Sequence, residues 1–163
     1  MAQKESVWSG KLKHKGYWNF KDTYTMMYDW LKDWNYSVSE DLYKEVDDGG
    51  KEIIINWTAE KKVTDYFKYE ISIEWHILGM IDAEVEIEGK KKKMNKGELG
   101  LSIKATIIKD YDKRWEDKPF HKFLRGLYEN YIIKTAIKQY KDTLEDEVGE
   151  LVSDTKAYLR LSS

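Results

Sequence analysis

The chain has 163 residues, enough for one domain to bury a core without disulfide or metal support but too few for two independent cores. It contains no cysteine, which excludes disulfide scaffolds, thiolate nucleophiles and cysteine-ligated zinc. Its formal net charge of −2 gives no overall attraction to nucleic acid or anionic lipid, so any such binding would need a local patch.

The N-terminal part of the chain predicts an edge strand followed by a helix. Residues 6–15 alternate apolar side chains with lysines, which is typical of an edge strand with a charged outer row. After Gly16 the large apolar residues recur three or four positions apart, so we expect an amphipathic helix from about residue 20 to residue 35. Asn19 is its predicted N-cap and Asn35 its predicted stop.

The most regular pattern lies in residues 66–78, where large apolar and polar side chains alternate. This alternation predicts the central strand of a half-buried antiparallel sheet, because a helix would spread the same apolar residues around its whole surface. Weaker alternation over residues 38–46 and 53–60 predicts a hairpin that turns at residues 47–50.

The rest of the predicted sheet follows Gly79. That glycine interrupts the alternation, so residues 81–87 are predicted as a separate strand, and residues 99–107 as a final strand after a loop over residues 89–97. The predicted fold class is therefore α+β, with an antiparallel meander sheet of about six strands. An N-terminal amphipathic helix and a long C-terminal helix pack against it, in one domain spanning residues 1–163.

The C-terminal region is predicted to be helical over residues 119–161. Its apolar residues recur with a period of 3.6, beginning at Pro119, which suits a first helical turn. One continuous helix would be about 65 Å long, which exceeds the roughly 40 Å diameter expected of a compact chain of this length. The segment is therefore predicted either to break near residue 132 or to project from the domain.

The apolar residues of this segment form two stripes on different sides of the helical wheel. The first stripe includes Phe123 and Leu127 and is predicted to cover the sheet. The second stripe then has no core to bury it, so it is predicted to bind a protein partner or a second copy of the chain. Its residues are Ile133, Ile137, Tyr140, Leu144, Val148, Leu151 and Tyr158.

A lysine run offers groups that could contact phosphates, each adding a salt-dependent contribution to binding. It consists of Lys90, Lys91, Lys92, Lys93 and Lys96. The alternative is a solvated hairpin tip opposite an acidic strand with Asp82, Glu84, Glu86 and Glu88. We favour the alternative, and do not expect nucleic acid as a partner, because the aromatic residues fall at core-facing positions.

No catalytic residue, metal site or cofactor is predicted. The three histidines, His14, His76 and His121, lack the spacing of metal ligands on one helix. A catalytic role would need a nucleophile or an acid brought close in space. His76 beside Glu70 and Glu74 is the first to examine, because neighbouring carboxylates favour the protonated form of a histidine.

Aromatic residues are abundant, with seven tryptophans and twelve tyrosines. Such side chains suit the walls of a small-molecule cavity, but they also fill the space between a sheet and its helices. We favour core packing over a cavity.

The predicted order of strand, helix, antiparallel meander and long C-terminal helix resembles the helix-grip arrangement of the START and Bet v 1 ligand-binding families. In those families the last helix packs across a strongly bent sheet, so the resemblance implies a carrier of a small apolar ligand held between sheet and helix. The families have a second helix after the first strand and one more strand in the meander. No site residue carries over to this chain.

Two stretches, residues 17–24 with 30–31 and residues 114–120 with 131–133, resemble small uncharacterised archaeal proteins rich in Lys, Glu and Tyr. This resemblance implies a cytoplasmic location and brings no function. Residues 1–6 have no apolar stretch, and no run of 18 apolar residues occurs. We therefore expect a soluble cytoplasmic protein without a membrane span.

The leading hypothesis from the sequence is a non-enzymatic interaction or assembly domain that uses its C-terminal helix for self-association or partner association. The alternative is a START-like carrier of a small apolar ligand. An enzyme comes third, because no nucleophile, metal or phosphate motif stands out.

Overall fold

The computed structural model describes residues 3–109 and 134–162, together with Phe123 and Leu127, which are helical and exposed. These residues form β1 (Gln3–Trp18), α1 (Phe20–Asp33), β2 (Ser37–Asp47), β3 (Lys51–Lys62), β4 (Phe67–Ile87), β5 (Lys90–Lys109) and α2 (Lys134–Ser162). The strands form one antiparallel sheet in the order β1-β5-β4-β3-β2. The predicted α+β class is confirmed.

The sheet has five described strands instead of the six predicted, because Gly79 lies within β4 and does not end it. Gly79 and Met80 together lie opposite the single residue Gly97 of β5, which is a β-bulge. Gly79 has a φ of 62°, a conformation that glycine adopts without steric cost. A Cβ on Gly97 would lie 2.9 Å from the Cα of Met80, so the bulge also needs glycine on the partner strand.

The predicted loop over residues 89–97 is also wrong. Ile87 pairs directly with Lys90, so only Glu88 and Gly89 form the turn. Their φ angles are 53° and 76°, as a tight two-residue hairpin turn with two left-handed positions requires. The lysine run therefore belongs to strand β5.

Helix α1 begins and ends close to the predicted positions. The side-chain oxygen of Asn19 accepts a hydrogen bond of 2.9 Å from the backbone N–H of Asp22, which confirms the N-cap. Asn35 has a φ of 69° directly after the helix, and its N–H donates to the carbonyl of Lys32 at 3.0 Å.

Both helices contribute to a core on one face of the sheet, which we call the inner face; the opposite face is the outer face. The inner row of β4 is the floor of this core, as the alternation predicts. Its residues are each at most 1% exposed: Phe67, Tyr69, Ile71, Ile73, Trp75 and Ile77. Helix α2 contacts β1, β5 and α1.

Helix α2 does not project from the sheet. Its residues Leu144, Val148, Leu151 and Leu159 are at most 2% exposed and belong to the core. The prediction of a projecting C-terminal segment is therefore wrong for residues 134–162. The predicted break near residue 132 lies outside the described residues.

Candidate functional site: a groove beside the C-terminal helix

The stripe predicted to bind a partner is largely used inside the molecule. Leu144, Val148 and Leu151 are completely buried in the core. Ile137 and Tyr140 are half-buried and pack against that core. Leu144, Val148 and Leu151 therefore cannot form an open docking surface, and the prediction is wrong for these three residues. A partner role for Ile137 and Tyr140 stays a prediction.

The other two residues of the stripe differ. Tyr158 is half-buried, and burial raises the pKa of its phenol, with Asp22 adding to the effect. Ile133 lies outside the described residues.

Of the first stripe, the structure describes only Phe123 and Leu127. They were expected to cover the sheet, but they are 63% and 38% exposed, so the prediction is wrong for these two residues. Among the described residues of the C-terminal segment, those that join the core belong to the second stripe. The reason is that helical periodicity shows which residues share a side of a helix but not which side meets the sheet.

A buried polar cluster ties α2 to the sheet. Glu147 is only 8% exposed, and its two carboxylate oxygens accept from Lys61 at 2.7 Å and from the Tyr36 hydroxyl at 2.6 Å. The Lys61 ammonium also lies 4.7 Å from the centre of the Tyr36 ring. Burial raises the pKa of Tyr36 well above its usual range, and the hydrogen bond to Glu147 raises it further.

Directly beside this cluster lies a groove of about 720 Å³. Trp8 of β1 and Trp34 at the end of α1 contribute indole rings to it, and both residues are half-buried. Helix α2 supplies the rest of the lining, namely Thr143, Glu145, Asp146, Glu147, Gly149, Glu150 and Ser153. Of the described residues that line the groove, none is basic.

The position of Trp34 is fixed by contacts on two elements. Its ring stacks on that of Trp30, with the centroids 5.0 Å apart and the planes 14° from parallel. The indole N–H of Trp30 donates to a carboxylate oxygen of Asp154 on α2 at 3.1 Å. The stacked pair therefore connects the end of α1 to the acidic part of α2.

The electrostatics of the groove follow from the sequence of α2. Six acidic residues and no basic residue occur between Asp142 and Asp154. Of these, Glu147 has a cation partner in Lys61, whereas Glu145, Asp146 and Glu150 are exposed. Clustered negative charge attracts cations to this part of the surface, and the aromatic rings add a cation–π attraction.

Gly149 lies in the lining of the groove. It is in the interior of α2, where glycine costs about 1 kcal/mol relative to alanine. Close packing does not require the glycine, since a Cβ at this position would meet no atom within 4 Å. The space in front of residue 149 is therefore open.

The lysine run lies opposite acidic residues. Within the hairpin, Lys93 pairs with Glu84 and Lys91 with Glu86, which are favourable cross-strand pairs. Lys90, Lys92 and Lys96 are exposed, and the Lys96 ammonium lies 5.4 Å from the centre of the Tyr17 ring. This geometry agrees with the solvated hairpin tip, and phosphate contact by these lysines stays a prediction.

Neither of the two described histidines, His14 and His76, lines the groove. His76 is 3.3 Å from a carboxylate oxygen of Glu52, a residue of β3 and not one of the neighbours expected from the sequence. His14 bonds to the backbone carbonyl of Tyr17 at 2.9 Å. His121 lies outside the described residues. Within the described part of the chain, no group of three metal-ligating side chains occurs.

Three buried tryptophans fill part of the core between the sheet and the helices. Trp18, Trp57 and Trp75 are each at most 1% exposed in the core between sheet and helices. Two of them, Trp18 and Trp75, bury an indole N–H for which the described part of the chain provides no acceptor.

The sequence contained part of this site. The acidic run of α2 is visible without a structure, but Trp8 and Trp34 lie far from it in the chain and only the fold brings them together.

None of the described helices has an apolar stretch long enough to cross a membrane. The comparisons with known proteins add no assignment, because no family model, no curated protein and no solved structure matches the chain.

Proposed function

We propose that the protein is a non-enzymatic interaction domain that binds a lysine- or arginine-rich segment of a partner protein in the groove beside α2. The C-terminal helix remains the interacting element, as the sequence predicts, but it acts through its acidic side and not through its apolar stripe. One observation carries the proposal: two half-buried indoles face a helix with three exposed carboxylates and no basic side chain among the described lining residues.

The chemistry favours a cationic side chain over other ligands. An ammonium or guanidinium group can form charge-assisted hydrogen bonds with Glu145 or Glu150. Its methylene groups or its cationic plane can pack on the indoles of Trp8 and Trp34. A single groove of about 720 Å³ accommodates a few such side chains, which suits a short basic segment.

Titration of a dye-labelled octalysine peptide, followed by fluorescence anisotropy, tests the proposal. We expect binding at 50 mM salt that weakens at 300 mM salt, because the attraction is screened. Gly149→Leu should weaken it by about tenfold, because the new side chain would fill the groove. This variant keeps the core intact, since a Cβ at residue 149 meets no atom within 4 Å.

Two controls separate the groove from general charge. Trp34→Ala should weaken octalysine binding to a similar extent, whereas Glu88→Gln, at the distant hairpin turn, should leave it unchanged. The proposal fails if octalysine does not bind, or if Glu88→Gln weakens binding as much as Gly149→Leu does.

An apolar carrier is the second candidate, supported by one observation. The buried indole N–H groups of Trp18 and Trp75 have no acceptor among the described residues, and an oxygen atom of an internal ligand would provide one. Native mass spectrometry of freshly purified protein tests this candidate. A bound compound of constant mass that denaturation releases would support it, and the mass of the bare chain alone would count against it.

A further inference from the structure

Within the described residues, the sheet ends on two edge strands, β1 and β2, with no further strand beside either of them. Among the described residues, β1 pairs only with β5, and β2 pairs only with β3. An unpaired edge presents N–H and C=O groups that can pair with another strand. Both edges are long, with 16 residues in β1 and 11 in β2.

The two edges carry opposite charge. Strand β1 contains four lysines and one glutamate, a net charge of +3, and that glutamate, Glu5, is already bonded to Lys141 and Lys109. Strand β2 contains four acidic residues and one lysine, a net charge of −3. Two β1 edges would repel each other, and so would two β2 edges, whereas a β1 edge attracts a β2 edge.

Strand β2 also exposes more apolar surface than an edge in water normally does. Leu42, Tyr43 and Val46 are 43%, 49% and 49% exposed. Leu42 shares the outer face with Lys11 of β1, because cross-strand pairing connects them through Asn56, Glu74 and Ser102. The methylene groups of lysines on a neighbouring β1 edge could therefore cover Leu42 and Val46.

We propose that copies of this chain associate head to tail, with β1 of one copy pairing with β2 of the next to form a continuous sheet. In a sheet of five antiparallel strands the two outermost strands run in the same direction. A junction that keeps the outer faces aligned is therefore a parallel pair, which is somewhat weaker per residue than an antiparallel pair. The resulting association is reversible and open-ended.

Sedimentation velocity on the full chain, over a range of concentrations and at 50 and 500 mM salt, tests this inference. We expect oligomers that lengthen with concentration at low salt and shorten at high salt. A first variant, Lys11→Glu with Lys13→Glu, makes both edges acidic. A second variant, Glu45→Lys with Asp47→Lys, makes both edges basic. Each should associate at least about tenfold more weakly than the natural sequence.

Mixing supplies the decisive comparison. All four substituted residues are exposed, and the ion pair of Glu45 with Lys51 that the second variant removes lies at the surface, so each variant should lose no more than about 1 kcal/mol of unfolding free energy. An equimolar mixture of the two should associate again, because acidic edges then meet basic ones. Lys21→Glu with Lys32→Glu on α1 changes the charge by the same amount away from the edges and should not alter association.

Three results would each overturn the inference. They are a monomer at every concentration in 50 mM salt, association that neither edge variant weakens, and a mixture that stays monomeric. None of these variants alters the groove beside α2, so octalysine binding and self-association can succeed or fail separately.

Discussion

The two sides of helix α2 show how differently one helix can be used. One side inserts Leu144, Val148 and Leu151 into the core, where none is exposed. The other side carries exposed carboxylates and Gly149 beside two indoles. The apolar side determines stability and the acidic side is available for binding, so substitutions on the two sides should have separable effects.

The largest effect is expected on the apolar side. Leu151→Ala should lower the free energy of unfolding by about 2–5 kcal/mol, because it removes buried methyl groups and leaves a cavity. Urea denaturation measures the loss. The matched control is Leu42→Ala, at a leucine that is 43% exposed, which should cost less than about 0.5 kcal/mol. Equal losses would contradict the assignment of α2 to the core.

Glu147 lies between the two sides of α2. Loss of its carboxylate should have the next largest effect on stability. Glu147→Gln should destabilise the protein by about 1–3 kcal/mol, because the half-buried Lys61 ammonium would lose its charged partner. Glu150→Gln, three residues further along the acidic side, is the control and should be nearly neutral. Chemical denaturation at pH 7 measures the free energy of unfolding of both variants. An unchanged free energy for Glu147→Gln would show that the cluster does not stabilise the fold.

Alkaline pH should loosen the same cluster. Tyr36 has a raised pKa in the folded protein, so it keeps its proton when the phenol of the unfolded chain, with a pKa of about 10, has lost it. The contribution of Tyr36 to the free energy of unfolding is therefore complete below pH 10. It is lost as pH rises, by roughly 2 kcal/mol between pH 10 and pH 12.

Tyr36→Phe checks this expectation. Unfolding free energies of the variant and the natural protein, measured between pH 9 and pH 12, should converge as pH rises, because phenylalanine has no proton to lose. Burial and the hydrogen bond to Glu40 also raise the pKa of Tyr24, to about 12. Its titration makes the unfolding free energy of both proteins fall with pH to the same extent. Parallel curves would contradict a protonated Tyr36 in the folded state.

The smallest effect is expected on the acidic side and has the opposite sign. Gly149→Ala should stabilise the protein by about 1 kcal/mol, because alanine favours the helix and its Cβ meets no neighbouring atom. Thermal unfolding monitored by circular dichroism measures the shift. Octalysine affinity should change less than with Gly149→Leu, since a methyl group fills little of the groove. A destabilised Gly149→Ala would imply that the glycine has a structural role in the helix.

Much of the sheet could be predicted from the sequence because apolar and polar side chains alternate in the strands with few exceptions. The inner row of β4, from Phe67 to Ile77, is buried as the alternation requires. The β-bulge was missed because a glycine that breaks the pattern can equally end a strand or lie within one. Only the pairing partners on β5 distinguish the two cases.

The candidate site was much less predictable. Periodicity identified two apolar stripes in the C-terminal segment, but it does not show which stripe packs against the sheet. The groove requires Trp8, Trp34 and α2 to meet, and these lie in different parts of the chain. Gly149 is visible in the sequence as a glycine within a helical segment, but only the structure shows that the space beside it is open.

The stacked indoles of Trp30 and Trp34 have a spectroscopic consequence. With ring centroids 5.0 Å apart and nearly parallel planes, their electronic transitions couple and should produce a paired positive and negative band in circular dichroism. Trp34 also lines the groove, so an occupant that displaces its ring would change this signal. The molecule therefore contains its own optical reporter of groove occupancy, which allows partners to be screened without a label.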